Sequence, residues 1–415
     1  MIASFSKSAG AGTAVLVPIA TLIGVSGLNY AYFLTFARIL APNDFTGFTT
    51  ATAILMPSVA VAEAGSIYAA PPFLRARTGT KAGRVAGAFC LLSLLIFASV
   101  ASAGSVIWNL TADDSVGLAW LGRCIVLTLP NLLLQTWLTV RVRKPILYLV
   151  LMCSIRAVPL LFMGSLQQFD LALIASAALL VPSFYIITSR VSRALLIPHS
   201  RDFAISLRLI RQFFVLRVFS TIVTSSAPMI LGALSGTTAA AAYLLGDRVR
   251  ALVSSAFQPL LQGMYFMVCR SATVNPRHMR SATVVLLFAV ALSALVLMTN
   301  VPLLNQLLFA GRHPDVLALS LFVLAGHVSV LSAIGYFLFL IPRGRSSAFI
   351  RGGVVQGCFF TVAIVSVSTF SPIRLPAAVA LCAELLLMVI VWITIFYYRR
   401  SALVSEEPVV RRGVT

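Results

Sequence analysis

Acidic residues are scarce in this chain. Its 415 residues include 11 Asp and Glu against 31 Lys and Arg, which gives a formal net charge of +20. A surplus of base can indicate nucleic-acid binding, but here long apolar runs separate the basic residues, which form no continuous patch or aromatic-basic module. Nucleic acid is therefore not an expected partner. The positive charge suits contact with anionic membrane lipid instead.

Charge of either sign is rare. Charged residues make up 10% of the chain, whereas hydrophobic residues make up 60%. The mean hydropathy is +0.99. A soluble domain could not bury that much apolar surface, whereas lipid solvates it. The composition therefore predicts a membrane protein.

Motifs for metal, cofactor and nucleotide chemistry are missing. The six cysteines include no Cys-x-x-Cys pair, and most lie in or beside apolar runs, which is typical of packing residues. No Gly-x-x-x-x-Gly-Lys-Ser/Thr pattern is present, so the chain does not hydrolyse ATP by that route. We expect no metal site, no cofactor and no catalytic residue.

Twelve apolar runs are available to cross a membrane as helices, each of which needs about 20 residues. The longest basic gap follows the sixth run, so the chain divides into two six-helix halves that enter the membrane in the same direction. The predicted parts are a first bundle at 1–188, a linker at 189–212, a second bundle at 213–398 and a tail at 399–415. The twelve runs are 12–36, 45–70, 86–107, 117–139, 146–163, 170–188, 213–234, 239–267, 283–303, 316–341, 352–370 and 376–397.

Lys and Arg cluster in every second gap between these runs. Cytoplasmic loops retain Lys and Arg, so the base-rich gaps are predicted to face the cytoplasm, together with both termini. Arg38, Arg312 and Arg374 are exceptions, because each stands alone in a gap placed on the other side. The base-rich gaps include 75–84, 141–144 and 190–211, and the base-poor gaps include 108–114, 165–170 and 235–238.

Eight charged residues lie inside the apolar runs, not counting Asp170 at the edge of the sixth run. Charge at membrane depth costs about 2.5–3.5 kcal/mol per residue on insertion scales, so it usually faces a protein interior or a wet cavity. Five arginines against three acids leave that interior net positive, which suits an anionic ligand. The arginines, our candidate substrate-binding residues, are Arg123, Arg156, Arg217, Arg248 and Arg250.

Other roles remain open for several of these arginines. Arg123 and Arg217 lie near the ends of their runs, where snorkelling to the interface explains them equally well. Arg250 lies three residues after Asp247, so the two can pair on one helix face. Arg156 lies near the middle of its run and is harder to explain without a ligand.

The three acids are the candidate sites for coupling to H⁺ or Na⁺. Asp247 is the first choice, Glu63 the second and Glu384 the third. Coupling needs a carboxylate that changes partner during the cycle. Glu63 could instead pair with Arg75 or Arg84. Inside the tenth run, His327 is expected to be a satisfied packing histidine and not a proton relay.

The first loop resembles that of polysaccharide flippases of the Wzx type. Residues 36–48 carry Arg38, Pro42 and Gly47 in the family's order of Ala-Arg, turn, acid, aromatic and glycine. Ala41 replaces the usual glycine before Pro42.

Two further stretches resemble the same family. They are 62–65, an acid followed by glycine, and 241–260, which contains Pro259. The resemblance implies the multidrug/oligosaccharidyl-lipid/polysaccharide (MOP) transporter fold, with two six-helix bundles around a central cavity. It also implies that the chain flips undecaprenyl-diphosphate-linked oligosaccharides across the bacterial inner membrane. Lipid-linked oligosaccharide and membrane lipid are then partners, as are the polysaccharide polymerase and export machinery.

Three other classes are weighed against this one. A membrane glycosyltransferase or polymerase usually needs a sizeable external loop with acids, and the external gaps here are short. A major-facilitator carrier usually shows an Asp-Arg element between spans two and three, which residues 77–84 lack. A drug exporter of the MOP superfamily is the closest alternative, but its substrates are usually cationic.

Overall fold

The computed structural model describes residues 199–404 apart from 271–275, 312, 344 and 372, together with scattered positions between 20 and 179. Every described residue of the first half is helical, including the short 3-10 helix Val158–Phe162. No described residue of either half lies in a strand. The regular structure is therefore helical in the part of the chain that the structure describes, as the apolar runs predict.

Seven α-helices are described in the second half. They are α1 (Ser200–Ser235), α2 (Thr237–Arg270), α3 (Pro276–Thr299), α4 (Val301–Phe309), α5 (Val316–Gly335), α6 (Ser346–Val367) and α7 (Arg374–Val404). α5 continues through a π-helical turn, Tyr336–Leu340, and a 3-10 turn, Ile341–Arg343.

Four described segments are long and apolar enough to cross a membrane. They are Ser281–Thr299, Val316–Arg343, Ser347–Val367 and Arg374–Tyr398. They coincide with the ninth to twelfth predicted spans, so hydropathy alone located these four helices correctly.

Local sequence explains several helix boundaries. Gly236 separates α1 from α2 at φ +90°, a conformation that glycine adopts without a Cβ clash. Asp315 caps α5, because its carboxylate accepts hydrogen bonds from the backbone N–H groups of Leu317 (3.0 Å) and Ala318 (3.1 Å). Pro302 lies in the first turn of α4, where its missing N–H leaves no bond unmade.

Two predicted boundaries differ from the structure. α1 begins at Ser200, so residues 200–212 of the predicted linker are helical and continuous with the seventh span. Asp202 helps this early start, because its carboxylate accepts a bond from the backbone N–H of His199 at 3.1 Å. The ninth span was predicted to reach residue 303, but α3 ends at Thr299 and the proline-led α4 is separate.

Five of these helices form a ring. α1 packs on α2, α2 on α5, α5 on α7, α7 on α6, and α6 on α1. α3 lies outside the ring against α5. α5 is apolar on all sides, as expected of a helix with neighbours all round.

Two apolar clusters fill the ring at different depths. The Tyr243 cluster joins α1, α2, α5, α6 and α7 near the end where α1 meets α2. The Tyr265 cluster lies toward the opposite end and also takes in Val85 and Phe89 from the first half of the chain. A layer of polar side chains lies between the two clusters.

Candidate functional site

Four polar side chains lie inside the ring, and we call them the polar layer. They are Asp247 and Arg250 on α2, Gln356 on α6 and Glu384 on α7. All four are buried, with exposed fractions of 4–9%. Asp247, Gln356 and Glu384 each follow the start of their helix by ten residues. Ten residues are about 15 Å of helical rise, so the layer lies near mid-membrane depth.

Arg250 is the centre of the polar layer. Its Nε donates to Oδ1 of Asp247 at 2.7 Å, and its Nη1 donates to Oε1 of Glu384 at 2.7 Å. The second oxygen of Glu384 accepts a bond from Nε2 of Gln356 at 3.2 Å. One guanidinium therefore binds two carboxylates from different helices.

Close helix approach surrounds the layer with backbone and ring atoms. A Cβ added to Gly246, next to Asp247, would lie 2.2 Å from Cδ2 of Phe322 on α5. A Cβ added to Gly326 on α5 would lie 2.8 Å from the carbonyl oxygen of Arg250. Glycine is required at both positions because α2 and α5 cross there without space for a methyl group. This contact fixes the stretch of α2 that carries both charged residues.

The charges of the layer do not cancel. Two carboxylates and one guanidinium give a formal charge of −1 when all three are ionised. Buried charge is costly unless it is paired, and Arg250 supplies the pairing here. An additional H⁺ or a small cation at either carboxylate would bring the formal charge of the layer to zero.

His327 is a second buried polar residue near the ring. Nδ1 lies 2.8 Å from the carbonyl oxygen of Val323, and Nε2 lies 3.0 Å from Oγ of Ser293 on α3. A neutral imidazole satisfies both contacts if Nδ1–H donates to the carbonyl and Nε2 accepts from the Ser293 hydroxyl, whose other acceptor within reach is the carbonyl oxygen of Val290 at 2.9 Å. Both ring nitrogens of His327 therefore have a partner, as expected of a packing histidine.

The structure places the other sequence candidates as follows. Arg248 is only partly buried, in contrast to its neighbours in the polar layer. Arg217 lies on α1 and Pro259 on α2, with their side chains outside the described residues. The remaining candidates lie outside the described residues altogether: Arg38, Pro42, Gly47, Glu63, Arg123 and Arg156. The substrate-binding and coupling roles of all these residues remain predictions.

Sequence reasoning did not identify Gln356. It is an uncharged residue in the eleventh apolar run and stands out only because glutamine is rare there. Its role is visible once α6 and α7 are packed together, because its amide then reaches Glu384.

An ion pair accounts for one exception to the charge alternation. Arg374, the first residue of α7, donates from Nε to Oδ2 of Asp315, the cap of α5. Burial raises the pKa of Asp315, but the bonds from Arg374 and from two backbone N–H groups outweigh it and hold that pKa below its usual value. Arg374 therefore has a counter-charge on its own side of the membrane.

A second ion pair joins the two halves of the chain. Nε of Arg84, at the start of the third span, lies 3.7 Å from Oδ2 of Asp202 on α1. Nearby, the Ser206 hydroxyl donates to the carbonyl oxygen of Val85 at 3.4 Å. Asp202 is thus a partner for Arg84 from the second half of the chain, and Glu63, the partner considered from sequence, lies outside the described residues.

The described residues offer limited metal-binding chemistry. Within them, no group of three or more His, Cys, Asp or Glu side chains comes together. The two carboxylates of the polar layer, with the amide of Gln356, are oxygen donors of the kind that H⁺ or Na⁺ would use.

No family model matches the chain, and no curated protein matches it significantly.

Solved structures match over nearly the full length. A mutant of the Vibrio cholerae MATE transporter VcmN has a TM-score of 0.66 and 16% identity, over 97% of this chain and 99% of its own. A MOP superfamily transporter from Pyrococcus furiosus has a TM-score of 0.65 and 12% identity, over 94% and 96%. The eukaryotic MATE transporter AtDTX14 has a TM-score of 0.61 and 10% identity, over 94% and 96%. At these identities the likeness establishes the fold: the chain is an all-α, multi-pass membrane protein with twelve transmembrane helices in two six-helix bundles, as in MATE transporters of the MOP superfamily.

Proposed function

We propose that this chain transports undecaprenyl-diphosphate-linked oligosaccharide units across the bacterial inner membrane, with both termini in the cytoplasm. The proposal joins the MOP fold to an interior whose arginines outnumber its acids. A diphosphate crossing the bilayer needs cations that are shielded from lipid, and the planar guanidinium group binds phosphate through two parallel bonds. The apolar tail can stay in lipid while the head group crosses.

The pairing within the polar layer carries this proposal. Asp247 and Glu384 both bind Arg250, so two of the three acids at membrane depth serve a single arginine. Among the membrane-depth charges, Glu63 is then the one acid left for Arg123, Arg156 and Arg217. That remaining positive charge supports an anionic substrate.

The fold accommodates binding pockets of different polarity. The neighbour from Pyrococcus furiosus is described as having a pocket of reverse polarity, which suggests a different function for it. A cationic cavity in the present chain is therefore compatible with a fold that also serves multidrug transporters.

A reconstituted flipping assay tests the proposed substrate. The purified protein is placed in vesicles with an undecaprenyl-diphosphate disaccharide that carries a fluorophore on the sugar, and an impermeant reductant bleaches the outer leaflet. Protein-containing vesicles should lose the protected half of the fluorescence much faster than empty vesicles. Equal rates would contradict the proposal.

Matched variants separate a substrate contact from a general charge effect. Arg156→Ala should slow flipping by about tenfold, because one charge-assisted contact to phosphate is lost. Arg208→Ala removes the same charge from an exposed position on α1 and should leave the rate unchanged. Equal rates for both variants would remove Arg156 as a ligand.

The polar layer is the proposed site of H⁺ or Na⁺ coupling. Its formal charge of −1 leaves room for one cation, which would compete with Arg250 for a carboxylate. Asp247→Asn keeps the shape and removes the titratable group, so it should abolish the response to an imposed pH or sodium gradient while gradient-free flipping continues. A normal response across external pH and sodium would exclude a coupling role for Asp247.

A cation-coupled drug exporter is the second candidate. The unbalanced carboxylate in the polar layer favours it, as does the likeness to a multidrug resistance MATE transporter. The same vesicles, loaded with ethidium under a pH or sodium gradient, distinguish the two functions. Gradient-driven ethidium transport without flipping of the lipid-linked sugar would establish the exporter.

A further inference from the structure

Glu384 is the carboxylate of the polar layer that joins different helices. From α7, its Oε1 accepts from Nη1 of Arg250 on α2 at 2.7 Å, and its Oε2 accepts from Nε2 of Gln356 on α6 at 3.2 Å. Asp247 differs, because its bond to Arg250 stays within α2 and uses Oδ1. Among the residues that the structure describes, none donates to Oδ2 of Asp247. A change in the charge of Glu384 therefore alters contacts between helices, whereas a change at Asp247 alters a contact within one helix.

Gln356 can bind Glu384 in either charge state. An ionised carboxylate only accepts, and the amide meets it with its nitrogen. A protonated carboxyl group also donates. A half-turn about the terminal side-chain bond brings the amide oxygen into the place of the nitrogen, where it can accept that bond. Arg250 cannot do the same for Asp247, because a guanidinium group has no acceptor.

Close packing of α6 on α7 holds Gln356 next to Glu384. Gly352 lies one helical turn before Gln356, and a Cβ added there would lie 3.1 Å from Cγ2 of Ile390 and 3.3 Å from Cδ1 of Leu387, both on α7. Gln356 itself is 4% exposed. The amide can therefore turn about its own side-chain bonds, while the two backbones stay together.

The neighbours of Glu384 are few in kind. Arg250 and Asp247 of α2 are the charged groups that face it, and Tyr243 of α2 is the other titratable neighbour. α5 carries one titratable side chain, His327, whose imidazole contacts a serine of α3 instead. α6 contributes an uncharged amide, and its titratable side chains are exposed: Arg351 and Cys358. Within the described residues, the charge state of Glu384 therefore depends chiefly on Arg250 and Asp247.

We propose that Glu384 takes up the coupling proton of the polar layer and that Gln356 is the positioning residue that accommodates the neutral carboxyl group. This inference rests on the coupling role proposed above for the layer. An H⁺ from the aqueous phase forms an O–H bond at Oε2 of Glu384, so the formal charge of the layer rises from −1 to zero. The ionic attraction between Arg250 of α2 and Glu384 of α7 is then lost. Both helices stay packed on α5. Proton uptake therefore weakens the direct tie between α2 and α7.

Asp247 remains necessary in this scheme. When Glu384 is neutral, Asp247 is the counter-charge that Arg250 keeps, and it lies on the same helix. Without Asp247, protonation of Glu384 would leave a buried guanidinium group unpaired, which is costly. Loss of coupling in Asp247→Asn therefore agrees with a proton that binds to Glu384.

Infrared difference spectroscopy of the purified protein, in a detergent without ester groups, detects a neutral carboxyl group directly. Spectra are compared between about pH 9 and pH 6, where exposed carboxylates stay ionised because their ordinary pKa is about 4. The C=O stretch of a protonated carboxylic acid should appear at the lower pH. Labelling all glutamates with ¹³C should shift this band to lower frequency, and labelling all aspartates should leave it in place. A band that moves with the aspartate label, or no band at all, would overturn the proposal.

Variants assign the band to one glutamate and test its partner. The band should disappear in Glu384→Gln and persist in Glu63→Gln, and the reverse result would show that another acid takes the proton. Gln356→Leu removes the acceptor for the neutral acid, so the band should move to higher frequency. Gln262→Leu, at a glutamine on α2 that is 3% exposed and outside the layer, is the matched control and should leave the band unmoved. An unmoved band in Gln356→Leu would exclude the positioning role.

This measurement is independent of the transported substrate. No lipid-linked sugar is present, so a failed flipping assay would leave the assignment of the proton to Glu384 intact. Assignment of the proton to Asp247 would overturn the present inference and leave the proposed substrate untouched. If Gln356→Leu does not fold, the isotope labels in the unaltered protein still decide between the two carboxylates.

Discussion

Removing the central arginine of the polar layer should destabilise the protein strongly. Arg250→Met leaves the carboxylates of Asp247 and Glu384 buried without their shared counter-charge. Breaking a buried ion pair by removing one partner costs about 3–5 kcal/mol. For a cooperative unit of 150–250 residues, each kcal/mol lowers the melting temperature by roughly 2–4 °C. The expected decrease is therefore roughly 6–20 °C.

The charge arithmetic of the layer predicts an order among variants. Glu384→Gln removes one negative charge and leaves Asp247 and Arg250 as a neutral pair, so it should cost much less than Arg250→Met. Combining Arg250→Met with Asp247→Asn and Glu384→Gln removes every charge and should recover most of the lost stability.

Melting of the detergent-purified protein, followed by size-exclusion of the heated samples, measures this order. Arg208→Met serves as the control, because exposed substitutions usually change stability by no more than about 0.5 kcal/mol. A melting temperature of Arg250→Met within about 2 °C of the unaltered protein would refute the reasoning, because two buried carboxylates would then need no counter-charge.

Three further outcomes can be measured on the same material. Gly246→Ala places a Cβ 2.2 Å from the Phe322 ring on α5 and should lower the free energy of unfolding by about 1–3 kcal/mol. Gly232→Ala, whose Cβ would have its nearest neighbour at 3.7 Å, should change that free energy little. A double-mutant cycle on Arg84 and Asp202 should give a coupling energy of only about 0.2–1 kcal/mol, because their atoms are 3.7 Å apart and the Arg84 side chain is 35% exposed. A much larger coupling energy would contradict the assignment of a weak ion pair. Burial lowers the pKa of His313. Interactions with Asp315 and with the backbone of Ala242 on α2 raise that pKa and only partly offset the effect of burial. The unfolded chain therefore binds a proton first as pH falls below about 6.5, so stability should decline there, and His313→Gln should lessen the decline.

Hydropathy and spacing predicted the helices and one side-chain contact. The apolar runs located the last four spans, since each helix must satisfy its own backbone within the bilayer. The pair of Asp247 and Arg250 follows from their separation by three residues on one helix face.

Contacts between distant segments could not be predicted in this way. Arg250 and Glu384 are 134 residues apart in sequence, and Arg374 and its partner are 59 apart. A sequence gives the approximate depth of a charge in the membrane, but depth does not specify which helix stands beside it. The role of Gln356 was missed for the same reason, because an amide in an apolar run has no visible partner until α6 and α7 are packed.

The third span contributes Val85 and Phe89 to the Tyr265 cluster, where they are 0% and 3% exposed. Any motion that parts this segment from α1 must hydrate both side chains, at about 1.5–3 kcal/mol for each. The nearby ion pair of Arg84 and Asp202 adds little to that barrier, because its atoms are 3.7 Å apart and the Arg84 side chain is 35% exposed. Separation of the third span from α1 at the Tyr265 cluster is therefore opposed mainly by the hydrophobic effect. It should become easier on cooling, when that effect weakens, and should depend only slightly on ionic strength.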